Sequence, residues 1–309
     1  MDQSILSSRA IEGRYFARRE ANLMTSWPSL VANLFNSDQS AETYAMLGYP
    51  PALREWIGGR QAKGMRTSNF TITNKHYEGT LEVALKDVRR DKTGQIMARV
   101  DEFADQSEIH WATLLAALIE AGESTVCYDG QYFFDTDHSE GDSGTQDNDL
   151  TYAAATGTSP TKEEMQLAIL QSISAIIGFK TDTGAKMNPG ARSFTVLTPP
   201  TYYPIALAAL SEGLNVALSA NMNPNKLGGG FSVGVEMVPD LTWTTKFATV
   251  RNDAPIKPFI MQEETPLMLK SKAEGSEYEF DNDAWQFGVD GWRNAGYGLW
   301  QRACLTTFT

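Results

Sequence analysis

Two short motifs contain residue types that could do chemistry. The first, Gly141-Asp-Ser-Gly144, matches the tetrapeptide around the nucleophile of trypsin-like serine proteases, in which a histidine acts as the general base. The match ends at Thr145 and Gln146, and the surrounding segment is rich in Ser, Gly and Asp, so composition alone accounts for such a tetrapeptide. We therefore interpret the segment as a solvated loop and keep a hydrolase only as an alternative function.

The second motif is Asp135-Thr-Asp137-His138, which is followed by further aspartates that could ligate a hard cation or a transition metal. The order of residues differs from that of a calcium loop, and a single histidine does not supply paired zinc ligands. The whole chain has only three histidines, at positions 76, 110 and 138, which leaves little material for acid–base catalysis. The sequence predicts no catalytic residue, no metal ligand and no cofactor, and hence a protein that is not an enzyme.

Length and composition narrow the class of protein. The 309 residues are 42% hydrophobic, which is enough for a core in one large domain or in two to three subdomains. Apolar runs of about 18 residues are absent from the sequence, and the first residues lack the apolar stretch of a signal peptide. We therefore expect a protein that is made and kept in a cytosol. Cys127 and Cys304 are too few for a disulfide framework and are predicted to be buried thiols.

Charge is distributed unevenly along the chain. The formal total is −12, which argues against tight sequence-specific DNA binding because such binding depends on the neutralisation of phosphates. Residues 1–92 hold 13 basic and 10 acidic residues, whereas residues 93–164 hold 2 basic and 15 acidic ones. Residues 165–309 are nearly balanced, with 11 and 13. A positive first third beside a strongly acidic second third indicates two complementary surfaces.

The elements that position these residues begin with an amphipathic helix, predicted over residues 9–23, in an arm that extends to residue 56. Apolar residues alternate with polar ones in segments 66–73 and 80–88, which predicts that these two strands form a long β-hairpin. Because an isolated two-stranded ribbon is at best marginally stable in water, we expect this hairpin to need a partner surface.

The strongest helical pattern spans residues 95–121, a rod of about 39 Å at 1.5 Å per residue. A second helix is predicted over residues 162–178, beginning at a cap near Ser159-Pro160. Further predicted segments are a strand at 125–128, a strand at 194–197, a helix at 203–210, and strands at 231–238, 243–250, 256–261 and 266–270. Long helices mixed with short strands indicate an α+β fold.

The closing segment, residues 281–303, is rich in tryptophan, tyrosine and glycine. Large aromatic residues with small residues between them allow close packing of strands or of subunits. The pattern leaves both interpretations open.

Three motifs and the order of the elements carry a resemblance to a known family. The motifs are Trp56-Ile-Gly-Gly-Arg60 ahead of the predicted hairpin, Phe133-Phe-Asp-Thr-Asp-His138 after the long helix, and Asn282-Asp-Ala-Trp-Gln-Phe-Gly-Val-Asp-Gly-Trp-Arg-Asn-Ala-Gly-Tyr-Gly-Leu-Trp300 near the end. Over nearly the whole chain, the sequence resembles the major head subunits of Mu-like bacteriophages, the gene product T family, which has the Hong Kong 97-type major capsid fold.

The resemblance implies an N-terminal arm (residues 1–56), an extended β-hairpin loop (57–93), a peripheral domain with a spine helix (94–160 and 245–309) and an axial domain (161–244). It further implies a structural protein of the virion, whose copies form pentamers and hexamers of an icosahedral shell in the cytoplasm of a bacterial host. That shell would enclose packaged double-stranded DNA without sequence-specific binding. Implied partners are a scaffold, a portal and decoration proteins, with no membrane. An encapsulin-like cargo compartment is the alternative that shares the fold.

The uneven charge suggests how neighbouring subunits meet. Our hypothesis is that the arm and hairpin of one subunit dock on the acidic spine region of the next. The predicted contacts are Arg60, Lys63, Arg66, Phe70, Asp101, Glu102, Asp105 and Glu108. Each exposed ion pair is worth only about 0–1 kcal/mol, but such contacts are repeated around a closed shell.

Overall fold

The computed structural model describes residues 7–21, 26–47, 67–90, 94–217, 226–227 and 231–309, which form the predicted α+β structure. The α-helices are α1 (Ser8–Ala21), α2 (Ser26–Val31), α3 (Leu85–Arg90), α4 (Gln95–Glu120), α5 (Lys162–Gly178), α6 (Tyr203–Ala217) and α7 (Glu277–Asn282). The strands are β1 (Ala32–Asn36), β2 (Ala41–Leu47), β3 (Thr67–Thr73), β4 (Lys75–Ala84), β5 (Asp149–Tyr152), β6 (Ser193–Thr198), β7 (Lys226–Leu227), β8 (Phe231–Met237), β9 (Lys246–Arg251), β10 (Phe259–Lys272), β11 (Ala284–Tyr297) and β12 (Ala303–Phe308).

A four-stranded sheet lies beside the spine helix α4, with the strand order β1-β10-β11-β4. Strands β10 and β11 form a long antiparallel hairpin, β4 extends it antiparallel to β11, and β1 is parallel to β10. Side chains alternate between the two faces of β11, so that Phe287 and Val289 are buried whereas Trp292 is exposed. The buried face shares an apolar cluster with Tyr15 of α1 and Val100 of α4.

A six-stranded sheet with the order β5-β12-β9-β6-β8-β7 forms the centre of the larger core. Its central strands β6, β9 and β12 are almost completely buried, and α5 packs on β9 and β12 and against α6. Helix α5 begins with a capping box, in which the Thr161 side chain accepts from Glu164 N and the Glu164 side chain accepts from Thr161 N. The cap is thus Thr161 rather than the predicted Ser159-Pro160.

The predicted hairpin between segments 66–73 and 80–88 is wrong in its pairing. Strand β3 pairs antiparallel with β2, from Ala41 opposite Thr73 to Leu47 opposite Thr67, and β4 pairs with β11 instead. The second strand also ends at Ala84, where helix α3 takes over. The two-stranded ribbon of this protein is therefore β2 with β3, and we refer to it as the ribbon. Alternation shows that a segment is a strand, but it does not identify the partner strand.

Other predictions agree with the structure in outline. Helices α4 and α5 were predicted within one residue of their observed ends, and α6 continues beyond its predicted end. Segment 125–128 forms only a β-bridge between Val126 and Tyr132, and segments 256–261 and 266–270 belong to the single strand β10, which is interrupted by register shifts. Cys127 and Cys304 are buried free thiols, as predicted.

The six-stranded sheet contains strands from two of the proposed domains. Strands β9 and β12 lie in one sheet with β6 and β8, although the sequence analysis placed residues 161–244 and 245–309 in different domains. Within the described part of the chain, no helix is long and apolar enough to cross a bilayer.

Candidate assembly surface

A row of ion pairs joins α1 to the acidic stripe of α4. Arg14 donates from Nε and Nη2 to both carboxylate oxygens of Asp101, at 2.6 and 2.5 Å, and Arg18 pairs with Asp105 in the same bidentate way, at 2.8 Å for both bonds. Such parallel bonds combine charge with a fixed orientation. The hydrogen bonds from Arg14 lower the pKa of Asp101 and raise that of Arg14, and the bonds to Asp105 raise the pKa of Arg18.

The third ion pair of the row also contacts the four-stranded sheet. Arg19 donates from Nε to Glu108 at 2.5 Å and from Nη1 to the carbonyl of Leu267 at 2.8 Å. Below the row, Ile11 and Tyr15 are each only 1% exposed, and the Tyr15 hydroxyl donates to Ser107 Oγ at 3.1 Å. Helix α1 is therefore held on α4 by buried apolar side chains as well as by charge.

The structure thus places three predicted contacts, Asp101, Asp105 and Glu108, against arginines of the same chain. Glu102 is different, because its side chain is 64% exposed and its salt bridge is to Arg99 of its own helix, at 2.6 Å. Sequence reasoning missed Arg14, Arg18 and Arg19. The signal was the spacing, since positions 14 and 18 recur with the same interval as positions 101 and 105.

Replacing Arg14 and Arg18 together by glutamate is expected to lower the urea midpoint of unfolding, because two attractive pairs become like-charge pairs. The loss should be smaller in high salt, which screens exposed charges. Urea unfolding of the subunit at low and high salt measures both effects. Arg9→Glu, an exposed change on the same helix, is the matched control, and an equal loss in that control would contradict a specific role for the row.

The predicted basic contacts Arg60, Lys63 and Arg66 lie outside the described residues, whereas Phe70 lies at the base of the ribbon. A Cβ on Gly296 of β11 would come within 2.9 Å of the Phe70 ring and 2.4 Å of Ile72 Cδ1, so the ribbon packs closely against β11 at this glycine. Gln262 donates to the Ile72 carbonyl at 3.1 Å and accepts from the Tyr44 hydroxyl at 2.8 Å. The ribbon is therefore anchored on β10 and β11 at its base.

The outward face of the four-stranded sheet carries large exposed side chains. Trp292 is 39% exposed and stacks on His76 with ring centroids 4.7 Å apart, and Lys270 pairs with Asp290 at 2.8 Å. At the end of the β10–β11 hairpin, Phe280 of α7 is 90% exposed. The aromatic closing segment accordingly contains both packing residues and exposed ones.

The Gly141-Asp-Ser-Gly144 motif forms a turn. Ser143 is 2% exposed, and its hydroxyl donates to the Gly144 carbonyl at 2.8 Å and accepts from Glu140 N at 2.9 Å. Both glycines have positive φ, 54° and 71°. The ring nitrogens of His138 are directed to Asp129 and Asn148. The segment predicted to be a solvated loop is thus held by buried hydrogen bonds, and the serine is not poised as a nucleophile.

Burial shifts the acid–base behaviour of the groups around His138. Desolvation, reinforced by the charge of Asp129, raises the pKa of the Cys127 thiol well above its usual range. Burial alone would raise the pKa of Asp129, but hydrogen bonds from His138 and Cys127 outweigh it and lower the pKa below its usual value.

A cavity of about 190 Å³ separates α4 from β4 and β11. His110 and Arg293 line it, and His110 Nδ1 and Arg293 Nε are buried without a hydrogen-bond partner among the described residues. Burial lowers the pKa of His110 to about 4 and that of Arg293 to about 10. The Arg293 guanidinium lies over the Trp111 ring at 4.8 Å, a cation–π contact that offsets part of the cost of its burial.

Two curated proteins are similar to part of this chain. The Mu-like prophage FluMu major head subunit of Haemophilus influenzae is 35% identical over 111 residues, which cover 36% of each chain. The major capsid protein of Escherichia phage Mu is 33% identical over 130 residues, which cover 38% of this chain and 43% of that protein. The chain thus matches less than half the length of each of these relatives.

Solved capsid structures match nearly all of the described fold. The capsid of bacteriophage JBD30 decorated with minor capsid protein trimers superposes with a TM-score of 0.51 at 19% identity, covering 92% of this chain and 64% of that one. A virus-like particle from Pyrococcus furiosus gives 0.54 at 10% identity, covering 96% and 98%. At these identities the likeness shows the fold alone, which is the Hong Kong 97-type capsid fold.

The family of this chain is established by a match that is longer than the alignment with either of the two relatives. The model of the Mu-like prophage major head subunit gpT matches residues 11–177 and 237–307, which is more than half of the chain. The chain therefore belongs to the Mu-like prophage major head subunit gpT family, whose members are structural capsid proteins and not enzymes.

Proposed function

We propose that this protein is the major head subunit of a Mu-like phage, and that its copies assemble into an icosahedral shell that encloses double-stranded DNA. The observation that carries the proposal is the family match over residues 11–177 and 237–307, on a chain with the Hong Kong 97-type fold. The acidic composition is compatible with this function, because a wall that avoids strong phosphate contacts can contain DNA without holding it.

The described surfaces suggest which parts of the subunit meet in the shell. The ribbon is fixed at its base by Gly296 and Gln262, and the sequence between its two strands, residues 48–66, contains Arg60, Lys63 and Arg66. Asp101, Asp105 and Glu108 are paired within the chain, which leaves Glu102 as the most exposed carboxylate of the predicted four. We propose that the basic residues Arg60, Lys63 and Arg66 contact the neighbouring subunit near Glu102.

The domain arrangement is part of the same proposal. The four-stranded sheet with α4 would be the peripheral domain, and helix α1 of the arm packs on it. The six-stranded sheet with α5 and α6 would be the axial domain around the five- and six-fold axes. This division moves β9 and β12 to the axial side of the boundary, because their backbone hydrogen bonds lie in that sheet.

Electron microscopy of the purified full chain tests the shell. We expect closed particles, or rings of five and six subunits, and a strict monomer at high concentration would overturn the proposal. Nuclease-resistant DNA in particles from an infected host supports a phage head, whereas particles that hold a cargo enzyme would support the encapsulin-like alternative.

A charge-reversal variant tests the docking of the ribbon. Glutamate at positions 60, 63 and 66 together is expected to abolish particles while leaving a folded subunit, as judged by circular dichroism and urea unfolding. The matched control is Arg89→Glu with Arg90→Glu, which changes two exposed basic residues of α3. Normal particles from the triple variant would refute the docking contact and leave the shell itself standing.

Other proteins are expected at the shell. The JBD30 capsid that shares the fold carries trimers of a minor capsid protein. We propose that this subunit likewise accepts decoration proteins, and that a scaffold and a portal take part in its assembly.

A further inference from the structure

Three side chains that can ligate a metal ion converge just beyond the end of the spine helix. Cys127 Sγ, an Asp129 carboxylate oxygen and a ring nitrogen of His138 all lie within 4.8 Å of one another. His138 is completely buried, and Cys127 is 6% exposed. None of the three residues is among the proposed assembly contacts, so those contacts do not account for the cluster.

Asn148 determines which nitrogen of His138 carries a proton. The Asn148 amide nitrogen donates to the carbonyls of Phe133 and Ala303, at 2.9 and 3.3 Å, and its oxygen accepts from Asp135 N at 2.9 Å. These three bonds fix the amide so that the same oxygen faces His138 Nε2 at 3.2 Å. An oxygen can only accept, so Nε2 bears the hydrogen.

The other ring nitrogen then faces an anion. His138 Nδ1 is 2.7 Å from Asp129 Oδ2, and Asp129 Oδ1 is 3.0 Å from Cys127 Sγ. With its hydrogen on Nε2, a neutral imidazole presents the lone pair of Nδ1 to this carboxylate, and two acceptors at that distance repel each other. A positive charge must therefore offset this repulsion, either a proton between the two atoms or a metal cation beside the line that joins them, which both atoms would ligate at about 2.0–2.2 Å.

The surroundings of His138 are suited to a metal cation. A histidine that ligates a metal commonly donates its other N–H to an oxygen, which is what Asn148 provides here. Trp300 stacks on the imidazole with centroids 3.9 Å apart and an interplanar angle of 9°, which holds the ring plane towards Asp129. Imidazole, carboxylate and thiolate together are a ligand set that zinc accepts.

We propose that Cys127 Sγ, the Asp129 carboxylate and His138 Nδ1 bind a zinc ion. The remaining position of a tetrahedral site would be filled by water or by another side chain. Binding releases two protons to solvent, the thiol proton of Cys127 and the proton that otherwise lies between Nδ1 and Asp129. The ion would join the segment after α4 to His138, which is linked through the Asn148 amide to Ala303 of β12.

Metal analysis of the purified full chain tests this proposal. After expression with added Zn²⁺ and dialysis, we expect about one zinc ion per chain, as for other structural sites. Replacement by Co²⁺ should add a thiolate-to-cobalt charge-transfer band in the near ultraviolet. Zinc well below one per chain together with no cobalt band would overturn the proposal and leave a proton between His138 and Asp129.

Two cysteine variants locate the ion. Cys127→Ser should lose the charge-transfer band and bind Zn²⁺ at least about tenfold more weakly in competition with a chromophoric chelator. Cys304→Ser is the matched control, because Cys304 is equally buried and lies outside the cluster. A band that disappears in the Cys304 variant and persists in the Cys127 variant would refute the assignment. The wild-type measurements decide the matter even where a variant does not fold.

Discussion

Replacement of Trp300 by alanine is expected to lower the free energy of unfolding by about 3–5 kcal/mol, the range for removal of a buried aromatic side chain. Trp300 is completely buried and contacts Phe179 edge-to-face at 5.4 Å in addition to its stack on His138. Its indole nitrogen has no hydrogen-bond partner among the described residues, so the loss is one of packing and cavity formation. Urea unfolding of unassembled subunits measures the change.

The control for this prediction is Trp292→Ala in the same aromatic segment. Because Trp292 is 39% exposed, we expect its removal to cost less than about 1 kcal/mol of stability. Its effect should appear instead in the yield of particles, if the outward face of the sheet contacts a neighbour. Equal losses of stability for the two tryptophans would contradict the division of this segment into packing and exposed residues.

Periodic patterns predicted the helices well, because a long apolar stripe at helical spacing has few alternatives. Helix α4 was predicted at 95–121 and observed as Gln95–Glu120, with Val100 and Leu115 on its buried side. Strand partners could not be predicted in the same way. Strands β2 and β3 are separated by 19 residues, and β12 pairs with β9 and β5 from distant parts of the chain. Such pairing depends on tertiary packing rather than on local alternation.

The acidic half of the candidate surface was predictable, but its partner was not. Acidic residues at positions 101, 105 and 108 form one stripe of a helix, which the sequence shows directly. The arginines that face the stripe lie almost ninety residues earlier, in a helix whose weak amphipathic pattern gives no indication of what it packs against. The structure shows a contact of complementary charge within the subunit, between α1 and α4. The docking between subunits stays a prediction.

The partners of His138 could not be predicted from the sequence, for a different reason. From the sequence alone, His138 is grouped with the aspartates that adjoin it, from Asp135 to Asp149. In the structure, its partners are Asp129, Asn148 and Trp300. Of these partners, only Trp300 is far from His138 in sequence. None of the three could be identified from the sequence alone, because their contact with the imidazole depends on how the loop turns.

Replacement of Gly141 by alanine is expected to destabilise the protein by about 3 kcal/mol, for two separate reasons. A φ of 54° costs an L-residue about 1 kcal/mol. A Cβ at this position would also lie 2.4 Å from the carbonyl oxygen of Asp182, which is an overlap with backbone. Relief of such an overlap typically costs about 1–3 kcal/mol. The carbonyl cannot easily withdraw, since it accepts a hydrogen bond from Asp142 N at 2.8 Å.

Two other variants of the same tetrapeptide serve as comparisons for Gly141→Ala. Gly144→Ala has the backbone penalty alone, because φ is 71° and no atom lies within 4 Å of the added Cβ, so about 1 kcal/mol is expected. Ser143→Ala removes two local hydrogen bonds and should cost about 1–2 kcal/mol. Urea midpoints for the three variants should place Gly141→Ala lowest. If Gly141→Ala and Gly144→Ala coincide, the overlap with Asp182 is absorbed by movement of the loop and the tight junction between these two turns is refuted.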